Sequence, residues 1–153
     1  MGATLTFDTL EEFVGQAIGT SDWVEIPQSR IDAFAACTED HQWIHTDVQR
    51  ASTEGPFGAP IAHGFLTLSL LPMTTYPLLK GLNAAKSLNY GLDRLRFLAP
   101  VKAGARVRNH VRLIGVQRRD DGWVLLRTEN TIEIEGGDKP ALVAVSLGLF
   151  SPV

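Results

Sequence analysis

The hydrophobic and polar positions change period along the chain. Leu10, Phe13, Val14 and Ala17 recur at helical spacing, and Thr9-Leu10-Glu11-Glu12 reads as a capping box ahead of them. This predicts a helix stopping near Gly19. "WVEI" (23–26) predicts a short strand. Ile31, Phe34 and Ala35 make one face of a second helix, with Ser29 as its cap. Thr46 or Asp47 caps a short helical turn through Ala51, and the Gly- and Pro-dense "STEGPFGAP" (52–60) is loop.

From Ile61 to Leu71 the pattern is almost continuously apolar, and Pro72 and Pro77 kink or end the helix there. A helix apolar on nearly all sides is a buried helix. The last third has a period of two. Arg106, Arg108, His110 and Arg112 alternate with Val107, Val111 and Leu113. "RDDGW" (119–123) signals a hairpin turn, "WVLLRTENTIEIE" a second long strand and "EGGDKP" another turn. "ALVAVSLGLF" closes the chain as a more buried strand. The expected architecture is α+β: an antiparallel sheet wrapped around one long, buried apolar helix.

Composition narrows the field. The chain has 153 residues, 44% of them apolar, which suits one domain with a real core. Its net charge is −3, from 14 basic and 17 acidic residues, so nucleic acid and anionic membrane are poor candidates as partners. The opening "MGATLTFDTLEEF" lacks the pattern of a signal peptide. Gly2 and Thr6 meet only the bare outline of a myristoylation pattern. The apolar stretch near 59–71 is too short to span a bilayer. A cytoplasmic setting is expected, and the single Cys37 reads as a small core residue on a helix face.

The candidate chemistry is concentrated in "TEDHQWIHTD" (38–47). On a continuous helix Asp40 and His45 would lie about 140° apart, so cooperation requires the chain to leave the helix between them. The polar run Thr38–Gln42 suits that exit, with Trp43 and Ile44 as apolar anchors. A carboxylate and an imidazole held together beside apolar atoms can activate water. A polar loop satisfying its own backbone would use the same residues. His41 and His45, with His63, would suit a metal only if a clear third ligand were supplied, and no metal is expected. Gly64, near the start of the apolar helix, offers an unpaired amide and close ligand approach; close helix–strand packing is its other use. His63 is a cap, a core hydrogen-bonding group or a substrate contact. Arg94 and Arg96 would suit a phosphate-bearing ligand, and the row Arg106, Arg108, Arg112 a solvated strand face.

"DHQWIH" (40–45), then "IAHGFLTLSLL" (61–71), then "LRFLAPVKAG" (95–104) resembles the MaoC-like dehydratase family of hot-dog-fold proteins. The likeness is to its nodulation-protein-N-like branch of (R)-specific enoyl-thioester hydratases, and it spans about Phe7 to Phe150. Asp40 and His45 match the family's catalytic pair, and Gly64 the glycine whose amide completes its oxyanion hole. Two departures stand out: Glu39 replaces a common glycine, and Gln42-Trp43 replaces Asn-Pro.

The resemblance implies a single hot-dog domain over 1–153 that hydrates trans-2-enoyl thioesters, or dehydrates (R)-3-hydroxyacyl thioesters, without a cofactor. It implies a coenzyme A or acyl-carrier-protein thioester as substrate, with Gln42, Trp43 and His63 among the contacts and Trp43 lining an acyl channel. A homodimer is expected, because one short sheet around one helix leaves a strand edge and apolar surface uncovered. The rivals are an acyl-thioesterase on the same fold and a non-catalytic acyl-thioester binding protein.

Overall fold

A computed structural model describes residues 4–153; Gly2 lies outside them. Six antiparallel strands form one sheet: β1 (Ala17–Thr20), β2 (Val24–Glu25), β3 (Lys86–Phe97), β4 (Arg106–Arg118), β5 (Val124–Ile134) and β6 (Leu142–Ser151). The order is β1-β4-β5-β6-β3, with β2 also on β4. Five short helices complete the fold: α1 (Gln28–Thr38), α2 (Trp43–Thr46), α3 (Val48–Thr53), α4 (Gly64–Ser69) and α5 (Leu71–Thr75). None of the described helices is long and apolar enough to cross a membrane.

Strand alternation builds the inner face. Val107, Val111 and Leu113 of β4, Leu126 and Ile132 of β5, and Leu142 and Phe150 of β6 are all buried. Arg106, Arg108 and Arg112 project outward and pair across strands with Glu135, Glu133 and Glu129. The expected solvated basic face is therefore a ladder of ion pairs, which contributes little each when exposed.

The α4–α5 stretch packs Leu66, Leu70 and Leu71 onto this face. Pro72 falls in the first turn of α5, where a missing amide proton costs least, and a 3-10 stretch follows over Tyr76–Leu82. The apolar helix is thus broken, and it is not buried all round: Phe65 is 65% exposed and Met73 52%. Edge strand β3, which the sequence pattern did not reveal, pairs only with β6 and is exposed along almost its whole length.

Three further expectations change. The predicted first helix is a single 3-10 turn, Leu10–Phe13. The Thr9 hydroxyl bonds back to Thr4 and Thr6 instead of capping, and Gly15 at φ +87° turns the chain into β1. Helix α1 starts one residue before Ser29, from Pro27, whose fixed φ suits a helix start. Cys37 is exposed: Ile31 and Ala35 face inward, and two residues beyond Ala35 the helix has turned about 200° to solvent.

Candidate active site

The break between Asp40 and His45 is real. Helix α1 ends at Thr38, and Glu39 takes a left-handed φ of +63°, which reverses the chain. Helix α2 begins at Trp43, and Asp47 then caps α3 by accepting from the Arg50 amide at 2.9 Å. This fold-back carries Asp40 to within 4.8 Å of both His45 and His63, measured between one carboxylate oxygen and one ring nitrogen of each.

The two imidazoles are held by backbone carbonyls. His45 Nδ1 donates to Ile61 O at 2.6 Å, and His63 Nε2 donates to Asp40 O at 3.0 Å. A carbonyl only accepts, so His45 carries its proton on Nδ1 and leaves Nε2 with a free lone pair. Gln28 Nε2 donates to the His45 carbonyl at 2.7 Å and to Asp32 Oδ1 at 2.9 Å, tying α2 to α1. Burial pushes the His45 imidazole below its ordinary value of 6.5, and neighbouring His63 pushes the same way against the Ile61 bond and Asp40. His45 is therefore a neutral imidazole at pH 7, the form that accepts a proton.

His63 is 3% exposed, stacked on His45 with ring centroids 3.8 Å apart and planes 24° from parallel, and it also meets Phe34 at 4.9 Å. Its Nε2 lies 3.9 Å from Asp40 Oδ2. The Asp40 side chain is 54% exposed, so the cluster has two buried imidazoles and one carboxylate open to water. Near-parallel rings do not aim their in-plane lone pairs at one point, as an ion about 2.0 Å from each would require. The grouping suits proton transfer better than coordination.

Gly64 is the first residue of α4, so its amide has no partner within the helix. A cleft of about 330 Å³ opens against it, lined also by Phe57, Ile61, Thr67, Phe97 and Val101. A Cβ on Gly64 would sit 3.1 Å from three atoms of the Phe97 ring, so glycine lets that ring pack close over the start of α4.

The other expected contacts are placed elsewhere. Trp43 is two residues from the inward-facing His45, hence about 200° around α2, and the Arg50 guanidinium covers its ring at 4.2 Å. It lines neither the cleft nor the larger hollow below, and nor do Asp40 and His45. Gln42 is exposed, and its backbone N–H donates to Asp40 Oδ1 at 3.4 Å. Arg94 and Arg96 are exposed on β3 opposite Val145 and Val143, and neither lines a hollow.

Sequence reasoning missed three features. Gln28 braces α2. Phe97 lies over Gly64. A second hollow of about 470 Å³ lies between α4–α5 and strands β3, β5 and β6. Beneath it runs a hydrogen-bonded group comprising Asn109, Asn130, Thr75, Thr128 and Ser146. The signal was present: Asn109 and Asn130 occupy inward positions of β4 and β5, where alternation calls for apolar side chains.

Comparison with known proteins places the chain in a family. Residues 9–133 match the family model described as "MaoC like domain". The chain is 44% identical over 145 residues to 3-hydroxyacyl-thioester dehydratase Z of Mycobacterium tuberculosis, covering 93% of this chain and 95% of the relative. It is 47% identical over 142 residues to Nodulation protein N of Rhizobium leguminosarum bv. viciae, covering 91% and 88%. An (R)-hydratase from A. caviae superposes with a TM-score of 0.70 at 28% identity, covering 92% of this chain and 96% of that one. A monoamine oxidase regulatory protein from an Archaeoglobus superposes with a TM-score of 0.74 at 23% identity, covering 88% of each, a likeness of fold alone.

Proposed function

This chain belongs to the MaoC-like domain family, and we infer from that membership and its dehydratase and hydratase relatives that it is an (R)-specific enoyl-thioester hydratase, working reversibly as a 3-hydroxyacyl-thioester dehydratase. Asp40 and His45 are proposed as the acid–base pair and the Gly64 amide as the oxyanion donor. The observation that carries this assignment is the His45 tautomer. Nδ1 is committed to Ile61 O, so the free lone pair on Nε2 belongs to a neutral ring beside a carboxylate.

In hydration, the thioester carbonyl accepts from the Gly64 amide, which stabilises the enolate oxygen as charge develops there. A water held between Asp40 and His45 loses a proton to the pair as its oxygen attacks Cβ. The same pair returns a proton to Cα. Dehydration runs these steps backward. The thioester itself makes the α-hydrogen acidic, so the chain's residues need only position groups and move one proton.

The acyl tail is proposed to run along α4 into the hollow of about 470 Å³, a volume in the range of small-molecule sites. A homodimer through β3 is also proposed. Leu88, Tyr90, Leu92 and Phe97 are exposed on this unpaired edge, and Phe97 meets the exposed Phe65 of α4 at 5.9 Å. Apolar surface of that extent on an open strand edge calls for a second copy. Light scattering at micromolar concentration should give the mass of two chains; a monomer there rejects the dimer.

The activity is tested with crotonyl-CoA. Loss of enoyl absorbance, with (R)-3-hydroxybutyryl-CoA as product on chiral analysis, supports the reading. Release of free thiol without loss of the double bond would make the protein a thioesterase instead.

A further inference from the structure

The hollow along α4–α5 has a polar floor that a hydrocarbon chain does not need. Its walls are apolar, with Leu68, Leu71, Leu79 and Leu126 among them, but Thr128 and Ser146 line it from directly opposite positions on β5 and β6. They fall in a polar stripe that divides the core. Leu66, Ile132 and Leu142 belong to one apolar cluster, and Leu79, Leu126 and Phe150 to the other. Between them on the inner face stand Asn109, Asn130, Thr128 and Ser146.

A proton count shows what this stripe leaves over. Asn130 Oδ1 accepts from Thr75 Oγ1 at 3.2 Å and from Asn109 Nδ2 at 2.9 Å. Asn130 Nδ2 faces Ser146 Oγ at 2.9 Å, Thr128 O at 3.0 Å and Thr128 Oγ1 at 3.2 Å, so its two protons are shared among three acceptors and it offers neither hydroxyl an acceptor. The two hydroxyls lie 2.8 Å apart and share one hydrogen bond. Two hydroxyls carry two protons, and one donation between them consumes one. The other has no acceptor among the described residues, and both side chains border the hollow. Closer to the surface, the Tyr76 hydroxyl donates to Asn89 Oδ1 at 3.3 Å, and both residues line the same space.

We propose that this hollow is built for an acyl tail carrying a hydrogen-bond-accepting oxygen, such as a hydroxyl, ketone or ether, at the end that reaches Thr128 and Ser146. The proposal rests on the hydratase reading and names its substrate class. The lining begins at Leu68, about 6 Å along the axis from Gly64, so the carbons next to the thioester lie outside the hollow and only a longer chain reaches its floor. A plain alkyl end there leaves the spare hydroxyl proton unpaired, whereas an oxygen accepts it, a difference of roughly tenfold in binding.

The test compares trans-2-enoyl-CoA pairs of equal chain length, one ending in methyl and one in hydroxymethyl, across a series of lengths. The expected result is about a tenfold higher kcat/KM for the oxygenated member at the length that reaches the floor. That ratio should fall about tenfold in the double variant Thr128→Val/Ser146→Ala, which removes both hydroxyl protons, while either single variant keeps one free donor and most of the preference, with circular dichroism melting to verify folding. A preference for the alkyl member at every length overturns the proposal, as does an unchanged ratio in the double variant. Crotonyl-CoA, too short to reach the floor, separates the two readings. If it is turned over and no tail preference is seen, only this proposal fails. If it is not turned over, the hydratase reading fails, and calorimetric competition between the two saturated acyl-CoA partners still decides the preference.

Discussion

His63 lies face to face with His45, ring centroids 3.8 Å apart, and reaches past it to donate from Nε2 to the Asp40 carbonyl at 3.0 Å. One buried side chain thus braces both members of the proposed pair. It supports the plane of the base and fixes the backbone that carries the carboxylate.

His63 is therefore a positioning residue for the proposed pair. His63→Phe keeps a flat ring against His45 but loses the donor to Asp40 O. We expect kcat to fall about tenfold or more, with KM changed less, because a misplaced base harms the chemical step above all. The Asp40 carbonyl loses a part-buried hydrogen bond, which costs about 1 kcal/mol of stability, read from chemical denaturation. A loss expressed wholly in KM would return His63 to the role of a substrate contact.

The lowered His45 value makes stability depend on pH with a definite sign. Between that lowered value and 6.5 the unfolded chain binds more protons than the folded one, so stability rises with pH through this window. The contribution is fully present above pH 6.5 and is lost as pH falls through the folded value. Melting temperatures should drop on acidification below 6.5, and the drop should shrink in His45→Gln. The log of kcat/KM should show its acid limb in the same region, falling with pH as the imidazole becomes protonated.

Gly64→Ala separates activity from stability. The new methyl would lie 3.1 Å from the Phe97 ring, which is exposed enough to swing aside, and alanine is the better helix former. The melting temperature should move by no more than a few degrees. The methyl also occupies the approach to the amide, so kcat/KM should fall by about ten- to a hundredfold. An unaltered rate would remove Gly64 from the oxyanion role.

Glu39 sits at φ +63°, where a side chain strains the backbone and glycine does not. Glu39→Gly should stabilise the fold by about 1 kcal/mol, or roughly 2–4 °C in melting temperature, provided the left-handed turn is what the position demands. Glu39→Val should destabilise it. Equal melting temperatures for all three proteins would mean that the turn is not strained.

Much of this molecule was legible in its residue pattern, for identifiable reasons. The three strands after residue 105 were readable because one face is buried and the other wet, so alternation is clean. The exit between Asp40 and His45 followed from helical geometry and the polar run around it. Strand β3 was not legible, because it is exposed on both faces in the single chain and so carries no alternation. The first helix failed because capping residues and a few apolar positions are local signals, and Gly15 overrides them. The seat of Trp43 was not legible, because its side chain follows the turn of α2, where Arg50 covers it, and not its closeness in sequence to His45. The polar floor went unread because Asn109, Asn130, Thr128 and Ser146 meet only once β4, β5 and β6 pair in register.

The central claim is that Asp40 and His45 together activate the water that adds to the enoyl thioester. Its most direct test is the rate of crotonyl-CoA hydration by Asp40→Asn, an isosteric change at a side chain already half open to solvent, with an unfolding curve to show that the protein is intact. The predicted result is a loss of roughly two to four orders of magnitude in kcat with the melting temperature nearly unchanged. A folded Asp40→Asn protein that turns over at close to the wild-type rate would contradict it.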